Sequence, residues 1–202
     1  MIKRLFIIIL LIASSYTVYS QSLGVEAGVR INTARIEYPG VTITRKSGFE
    51  GGVFYKYPIS VLPLNIRAAV LYSNSAFSLK NDLGNSIGIT YHFEENKLKL
   101  PLTVEYKPFS GLIDPFFFAG LYTTYSLSGS IKDSDSSSSL KYRQNSHKFD
   151  YGSIVGVGAS LTSHLALRAA YEHGFVRRDI ILGDQIVSVR ERGVSIQLNY
   201  LF

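Results

Sequence analysis

Apolar and polar residues alternate with a period of two along most of this chain after residue 22, and no other feature constrains its fold so strongly. In the first segment every second residue from Leu23 to Ile31 is apolar, while the residues between them are glycine, glutamate or arginine. Such alternation predicts a β-strand with one apolar and one polar face. The same part of the chain has no apolar run of about 18 residues, so any membrane crossing would have to use strands rather than helices.

Eight segments show this alternation, and an even number of strands is typical of bacterial outer-membrane barrels. They cover residues 23–32, 48–59, 64–73, 98–106, 116–128, 149–161, 165–172 and 194–202. The phase of the fifth segment stays open, because Phe116, Phe117 and Phe118 are consecutive. Every second residue from Ala119 to Leu127 nevertheless suits an outer face.

The connections between the segments alternate between short and long. Residues 58–63, 108–115 and 162–164 form short turns, whereas residues 36–46, 74–96, 129–148 and 176–187 form longer loops. Outer-membrane barrels have short turns in the periplasm and long loops outside. We therefore predict an all-β, eight-stranded antiparallel up-and-down transmembrane barrel with both chain ends in the periplasm. In the third loop, the serine-rich stretch from Ser134 to Ser139 lacks the apolar residues that packing needs and is predicted to be mobile.

The strands of soluble β-sandwiches and lipocalin-like barrels also alternate between apolar and polar residues, so further features must decide between a soluble and a membrane barrel. The apolar faces are nearly free of charge over about the 9 to 11 residues that a tilted strand needs to cross a bilayer. The chain ends in a strand with Tyr200 and Phe202 at alternate positions, which resembles the C-terminal signal read by the outer-membrane assembly machinery. Aromatic residues also gather near strand ends, where an interfacial belt belongs. These are Tyr55, Tyr57, Tyr72, Tyr106, Phe117, Phe149, Tyr171 and Tyr200.

The first 20 residues have the features of a secretory signal peptide. Lys3 and Arg4 precede an apolar run over residues 5–13, which is shorter than the roughly 20 residues of a membrane-spanning helix. Val18 and Ser20 occupy the positions that signal peptidase reads, so cleavage is predicted before Gln21. Residues 21–202 would then form one barrel domain in the outer membrane.

The composition excludes several classes of function. The chain has no cysteine, which excludes disulfides, thiol chemistry, thiolate metal sites and a lipoprotein anchor. Without Lys3 and Arg4, 19 basic residues remain against 15 acidic ones, and this net charge of +4 is too small to indicate nucleic-acid binding. No cofactor is expected. The expected partners are outer-membrane lipids, lipopolysaccharide and the barrel-assembly machinery, together with a surface ligand that the sequence does not identify.

Two stretches carry a family resemblance. Residues 98–106, LKLPLTVEY, and residues 115–120, PFFFAG, resemble the PorT-like outer-membrane barrel family of Bacteroidota, which contains OmpX-like eight-stranded barrels. Leu121 follows the second stretch, at the position where many relatives have proline. The resemblance covers most of the mature chain and implies an outer-membrane barrel that takes part in protein secretion or assembly.

The predicted inner faces carry five acidic and five basic residues. An eight-stranded barrel has an interior only just wide enough for its own side chains, so these groups are expected to pair with one another and to plug the lumen. Inward glycines are predicted to make room for long arginine and lysine side chains. The predicted lumen charge network consists of Glu26, Arg30, Glu50, Lys56, Arg67, Lys99, Glu105, Asp150, Arg168 and Glu172.

Four histidines are the candidates for catalysis, because some outer-membrane barrels modify lipids with a histidine and a serine or acid. They are His92, His147, His164 and His173. His173 follows Glu172, but neighbours in a strand point to opposite faces and cannot form a dyad. The chain is therefore not expected to be an enzyme. The hypotheses, in order of preference, are a structural or loop-mediated binding barrel, a PorT-like secretion or assembly subunit, and a lipid-modifying enzyme.

Overall fold

The protein is described from a computed structural model. It describes residues 23–36, 41–59, 62–81, 90–109, 111, 113–132, 137–139, 141–142, 148–182 and 185–202. The long strands are β1 (Leu23–Ile36), β2 (Val41–Ile59), β3 (Leu64–Asn81), β4 (Thr90–Tyr106), β5 (Asp114–Lys132), β8 (Phe149–Ser160), β9 (Leu165–Gly174) and β11 (Gln185–Leu201). Three short strands are β6 (Ser137–Ser139), β7 (Lys141–Tyr142) and β10 (Arg178–Leu182).

The eight long strands form a closed antiparallel barrel, so the predicted fold class is confirmed. Consecutive long strands pair in the order β1-β2-β3-β4-β5-β8-β9-β11, and β11 pairs back with β1 from Gly24↔Leu201 to Ile36↔Val189. At the seam, the Phe202 N–H donates to the Leu23 carbonyl oxygen at 3.0 Å. Among the described residues, no helix is long and apolar enough to cross a membrane. The predicted signal peptide lies outside the described residues.

The two ends of the barrel differ as predicted, but the long connections are shorter than expected. We call the end with the connections after β2, β4 and β8 the turn end, and the opposite end the loop end. Residues 74–81 and 90–96, predicted as loop, continue β3 and β4 and pair out to Lys80↔Thr90. Part of the predicted mobile stretch forms β6, which pairs with β5, while Ser134 to Ser136 lie outside the described residues. Strands extend beyond their apolar stretch because ladder hydrogen bonds satisfy the backbone without a buried face.

Side chains alternate between lipid face and lumen in the predicted phases. The structure also resolves the open phase of β5, since Phe116 and Phe118 are buried inside whereas Phe117 is exposed outside. A bulge changes this phase near the loop end, where Asn96 pairs with Ser128 but Lys97 pairs with Ser126. The extra residue, Leu127, lies on the outer surface.

The outer surface is an apolar band between two aromatic belts. The turn-end belt contains Tyr55, Tyr57, Tyr106, Phe117, Tyr200 and Phe202, and the loop-end belt contains Phe49, Tyr72, Tyr125, Phe149, Tyr151 and Tyr171. Along β2 the belts are separated by the nine residues from Phe49 to Tyr57, whose eight steps of roughly 3.3 Å give about 26 Å of strand. Nine residues lie within the roughly 9 to 11 that a tilted strand needs to cross a bilayer.

Candidate functional site

The lumen holds the densest cluster of ionisable groups among the described residues. All ten predicted network residues point inward, and nine of them are buried. The tenth, Lys56, keeps 18% of its side chain exposed. The structure adds four buried residues to them, which are Glu95, Lys97, Arg178 and Glu191.

The turn-end half of the lumen is organised around Glu105 on β4. The carboxylate of Glu105 accepts from Arg168 on β9, and its Oε2 lies 2.8 Å from Lys56 Nζ on β2. Arg67 on β3 pairs with Glu26 on β1, and its Nε lies 3.9 Å from Glu105. Strands that are not neighbours in the barrel wall are therefore linked across its interior.

The middle of the lumen is organised around Lys99 on β4. Its Nζ donates to Glu50 on β2 at 2.9 Å and to Glu172 on β9. Glu172 also lies 3.1 Å from Arg30 on β1. Gln197 on β11 donates its amide N–H to Glu50, so the second oxygen of that carboxylate is satisfied as well.

The loop-end half contains the four residues that the sequence did not assign to the network. Arg178 donates to both oxygens of Glu95, at 2.8 and 3.3 Å, and to Glu191. Lys97 pairs with Glu191 and lies 3.0 Å from Glu95. Lys97 is on β4 and Glu191 is on β11, four strands away in the ring of eight, so their ion pair crosses the full width of the lumen.

The four residues were missed because their segments were assigned to loops or left outside the predicted strands. Glu95 and Arg178 fell in the predicted loops 74–96 and 176–187. Glu191 could have been found by extending the alternation of β11, because Glu191, Gly193 and Ser195 occupy alternate positions on the same inward face. The network also differs from prediction at Asp150, whose carboxylate accepts from the Val176 N–H at 3.3 Å and has no ion-pair partner among the described residues.

Aromatic rings occupy part of the turn-end half, which the alternation of apolar and polar residues did not predict. The guanidinium of Arg67 lies 4.2 Å from the centre of the Phe54 ring, and that of Arg168 lies 3.8 Å from the centre of the Phe118 ring. The inward glycines make room mainly for these rings rather than for basic side chains, since a Cβ at Gly156 would collide with Phe118. Only at Gly193, which lies outside the glycines predicted to do so, would a Cβ meet a basic side chain among the described residues, that of Arg30.

The comparisons with known proteins agree with this architecture. The sequence matches the outer membrane protein beta-barrel domain family over residues 19–177. The chain belongs to this family. OprG from Pseudomonas aeruginosa is a similar solved structure, with a TM-score of 0.55, 14% identity and coverage of 91% of this chain and 96% of OprG. Neisserial surface protein A has a TM-score of 0.49, 18% identity and coverage of 89% of this chain and 97% of that protein.

Outer membrane protein W of Escherichia coli has a TM-score of 0.42, 13% identity and coverage of 91% of this chain and 98% of that protein. At 14% identity the likeness to OprG shows the fold alone. A comparison with curated protein sequences gives no match. Family and fold together place this chain in the outer membrane.

A cavity of about 390 Å³ opens at the turn end of this outer-membrane barrel. Its polar lining includes Lys56, Asn65, Lys107, Asp114 and Asn199. The turn between β8 and β9 borders it, where Thr162 Oγ1 accepts from the Leu165 N–H at 2.9 Å. The turn end of the lumen is therefore partly hollow, although aromatic rings occupy part of it.

The histidines do not form a catalytic arrangement within the described part of this barrel. His173 lies on the outer surface, whereas its neighbour Glu172 is fully buried in the lumen. His164 belongs to the turn end, where its ring stacks 5.9 Å from Tyr200 and its Nδ1 lies 2.8 Å from the Leu201 carbonyl oxygen. The side chain of His92 and all of His147 lie outside the described residues. No group of His, Asp and Glu among the described residues could hold a metal ion.

Proposed function

We propose that this chain is a cell-surface barrel whose lumen is closed by its own ion pairs and which acts as a structural or binding protein through its loop end. The observation that carries the proposal is the ion pair between Lys97 and Glu191. Because these residues lie on opposite walls, the side chains themselves occupy the path that a solute would take. Arg178, at the start of β10, binds the same carboxylate of Glu191 and adds a third side chain to this crossing contact.

Charge balance supports a closed lumen. The described lumen contains seven acidic and seven basic side chains. Taking a charge out of water costs several kcal/mol unless an opposite charge and hydrogen bonds replace the solvent. An open channel would need these groups to be hydrated, whereas all but Lys56 are at least nine-tenths buried.

Conductance tests this proposal directly. The purified protein in planar bilayers is expected to show no steady nanosiemens conductance, whereas Lys97→Ala together with Glu191→Ala removes the crossing pair and should admit brief, small openings. Val104→Ala, on the lipid face of β4, is the matched control and should leave the bilayer silent. A steady large conductance of the unaltered protein would overturn the closed-lumen proposal.

The proposed orientation places the turn end and both chain ends in the periplasm and the loop end outside, after signal-peptide cleavage before Gln21. The alternation of short and long connections supports it. In this orientation outer-membrane lipids and lipopolysaccharide surround the barrel, and the alternating aromatic residues Tyr200 and Phe202 lie where the assembly machinery would read them. The mass of the purified protein tests the cleavage, and protease treatment of intact cells tests the orientation, because cuts should fall near residues 133–147 and spare residues 58–63.

A secretion-associated role is the alternative that the PorT-like resemblance of residues 98–106 and 115–120 favours. Deletion of the gene separates the two functions. A loss of secreted proteins from the medium would support the secretion role, whereas normal secretion with altered surface binding would support the binding role. Unchanged lipid composition in the same strain would speak against a lipid-modifying activity.

A further inference from the structure

Charged side chains outside the lumen are distributed unevenly between the two ends of the barrel. Counting only residues whose side chains the structure describes, the turn end has Lys107 and Asp114 outside the lumen, whereas the loop end has four basic residues against the single acid Glu94. The four are Lys148, Arg177, Arg190 and Arg192. The loop-end rim is therefore basic.

Arg190 and Arg192 lie next to each other on the outward face of β11. The residue between them, Glu191, points into the lumen, and the next outward residue toward the turn end is the exposed Val194. Arg192 pairs in register with His173 on β9, and the backbone of Arg190 pairs with that of Arg35 on β1. The two arginines are half-buried against neighbouring strands, so their positions are defined by the barrel wall.

This basic patch lies directly above the loop-end aromatic belt. Tyr171 and Val194 pair in register one step nearer the middle of the band, about 7 Å along the strands at roughly 3.3 Å per residue. Beside the patch, the rings of His173 and Phe175 are 6.0 Å apart, and Phe175 lies 6.1 Å from Tyr151. Aromatic residues of this kind mark the boundary between acyl chains and headgroups. Arg190 and Arg192 therefore lie at the depth of the headgroups.

We propose that Arg190, Arg192 and His173 form a binding site for a phosphate group of a phosphorylated lipid headgroup in the external leaflet. The inference rests on the orientation proposed above. Guanidinium groups bind phosphate with two parallel N–H donors, and a ring of aromatic and aliphatic side chains directly below would contact the acyl chains of the same lipid.

A membrane lipid fits this surface better than a free anion does. The patch faces outward, where acyl chains surround the barrel, and it continues without interruption into the apolar outer face of β11 at Val194, Ile196 and Leu198. A soluble phosphate would gain only the headgroup contacts. A lipid gains the same contacts together with burial of its chains against this face.

Native mass spectrometry in a maltoside detergent, which carries no phosphate, tests the site with bisphosphorylated lipid A as the probe. The unaltered protein is expected to retain bound lipid A. Arg190→Gln with Arg192→Gln should weaken binding at least about tenfold, because two charge-assisted contacts are lost. Arg190→Lys with Arg192→Lys keeps the positive charges but removes the paired N–H donors of the guanidinium groups, and should give an intermediate loss of lipid A binding. Lys107→Gln, at the opposite rim, is the matched control and should bind as the unaltered protein does.

Three results would overturn the inference. The first is equal retention of dephosphorylated lipid A, the second is equal weakening by Lys107→Gln, and the third is displacement of lipid A by inorganic phosphate at similar concentration. The heat-dependent gel shift of each folded barrel confirms that the variants are assembled.

A labelling experiment separates a failure of this site from a failure of the orientation. Because the chain has no cysteine, Arg177→Cys offers a single label position at the loop end. Labelling of intact cells by a membrane-impermeant maleimide supports the orientation, so a loss of lipid A binding would then count against this site alone. Labelling only after the outer membrane is opened would overturn both the orientation and the lipid site.

Discussion

The two halves of the lumen hold their buried charges in different ways. Toward the loop end, Glu95, Lys97, Arg178 and Glu191 contact one another side chain to side chain and bridge opposite walls. Toward the turn end, the guanidinium of Arg168 lies over an aromatic ring, and a cavity of about 390 Å³ leads to the opening. The same barrel wall therefore encloses a tightly paired layer and a looser, partly aromatic one.

Under the proposed closure of the lumen, the loop-end layer is expected to contribute more than the total number of inward charges would suggest. In the loop-end layer Glu95 and Glu191 each contact both Lys97 and Arg178, so removing one acid leaves two buried bases with a single carboxylate between them. In the turn-end layer, aromatic faces and water in the cavity can replace part of a missing partner. Substitutions of similar chemistry should consequently have different effects in the two halves.

The largest effect is expected from Glu191→Gln in the loop-end layer. It removes the carboxylate shared by Lys97 and Arg178 and should lower the free energy of unfolding by about 3–5 kcal/mol, because both bases stay buried. Urea unfolding followed by gel mobility measures the change. Glu94→Gln, on the outer surface of β4, is the control and should cost less than about 1 kcal/mol. Equal losses would show that the loop-end layer is not specially paired.

A somewhat smaller effect is expected from charge placed on the lipid face. Val70→Arg, midway between the aromatic belts, should cost about 2–4 kcal/mol because the guanidinium faces acyl chains. Ser160→Arg tests the looser half from inside, since Ser160 lines the turn-end cavity and water can reach the new charge there. Yields of membrane-assembled protein should fall for Val70→Arg and remain close to normal for Ser160→Arg. The reverse order would mean that the cavity is not open to water.

Phe118→Leu probes the aromatic component of the turn-end half. The change removes the ring beneath Arg168 and should lower the free energy of unfolding by about 1–2 kcal/mol. Phe117→Leu, one residue away but on the lipid face, keeps apolar contact with acyl chains and should have a smaller effect in the same unfolding assay. If Phe118→Leu lowers the free energy of unfolding no more than Phe117→Leu does, the cation–π contact with Arg168 does not stabilise the barrel.

The smallest effect is expected from Lys56→Met. Lys56 lies 2.8 Å from Glu105 but is 18% exposed beside the cavity, and Glu105 keeps its contact with Arg168. We expect a loss of about 1 kcal/mol or less in the unfolding assay, because partial hydration weakens the pair. A loss as large as that of Glu191→Gln would show that both halves are closed networks of equal strength.

The sequence alone determined the class of fold and, within the segments that alternate clearly, the face on which a side chain lies. A period of two assigns residues to lumen or lipid without knowledge of their neighbours, because successive side chains in a strand point to opposite faces. Glu26, Arg67 and Val70 were placed correctly for this reason. The alternation gave no assignment where it is interrupted, as at Phe116 to Phe118. It also predicted strands that are too short where the outer face becomes polar, as at residues 74–81.

Only the tertiary structure decided which charges meet. Lys97 and Glu191 are 94 residues apart, and their contact depends on the number of strands, the stagger between them and the closure of β11 onto β1. The same closure brings Arg178 onto Glu95 and leaves Asp150 with a backbone partner instead of a base. Alternation is a property of each strand by itself, whereas a cross-lumen ion pair is a property of the closed ring, because its two members share no strand and no hydrogen-bonded neighbour in the barrel wall.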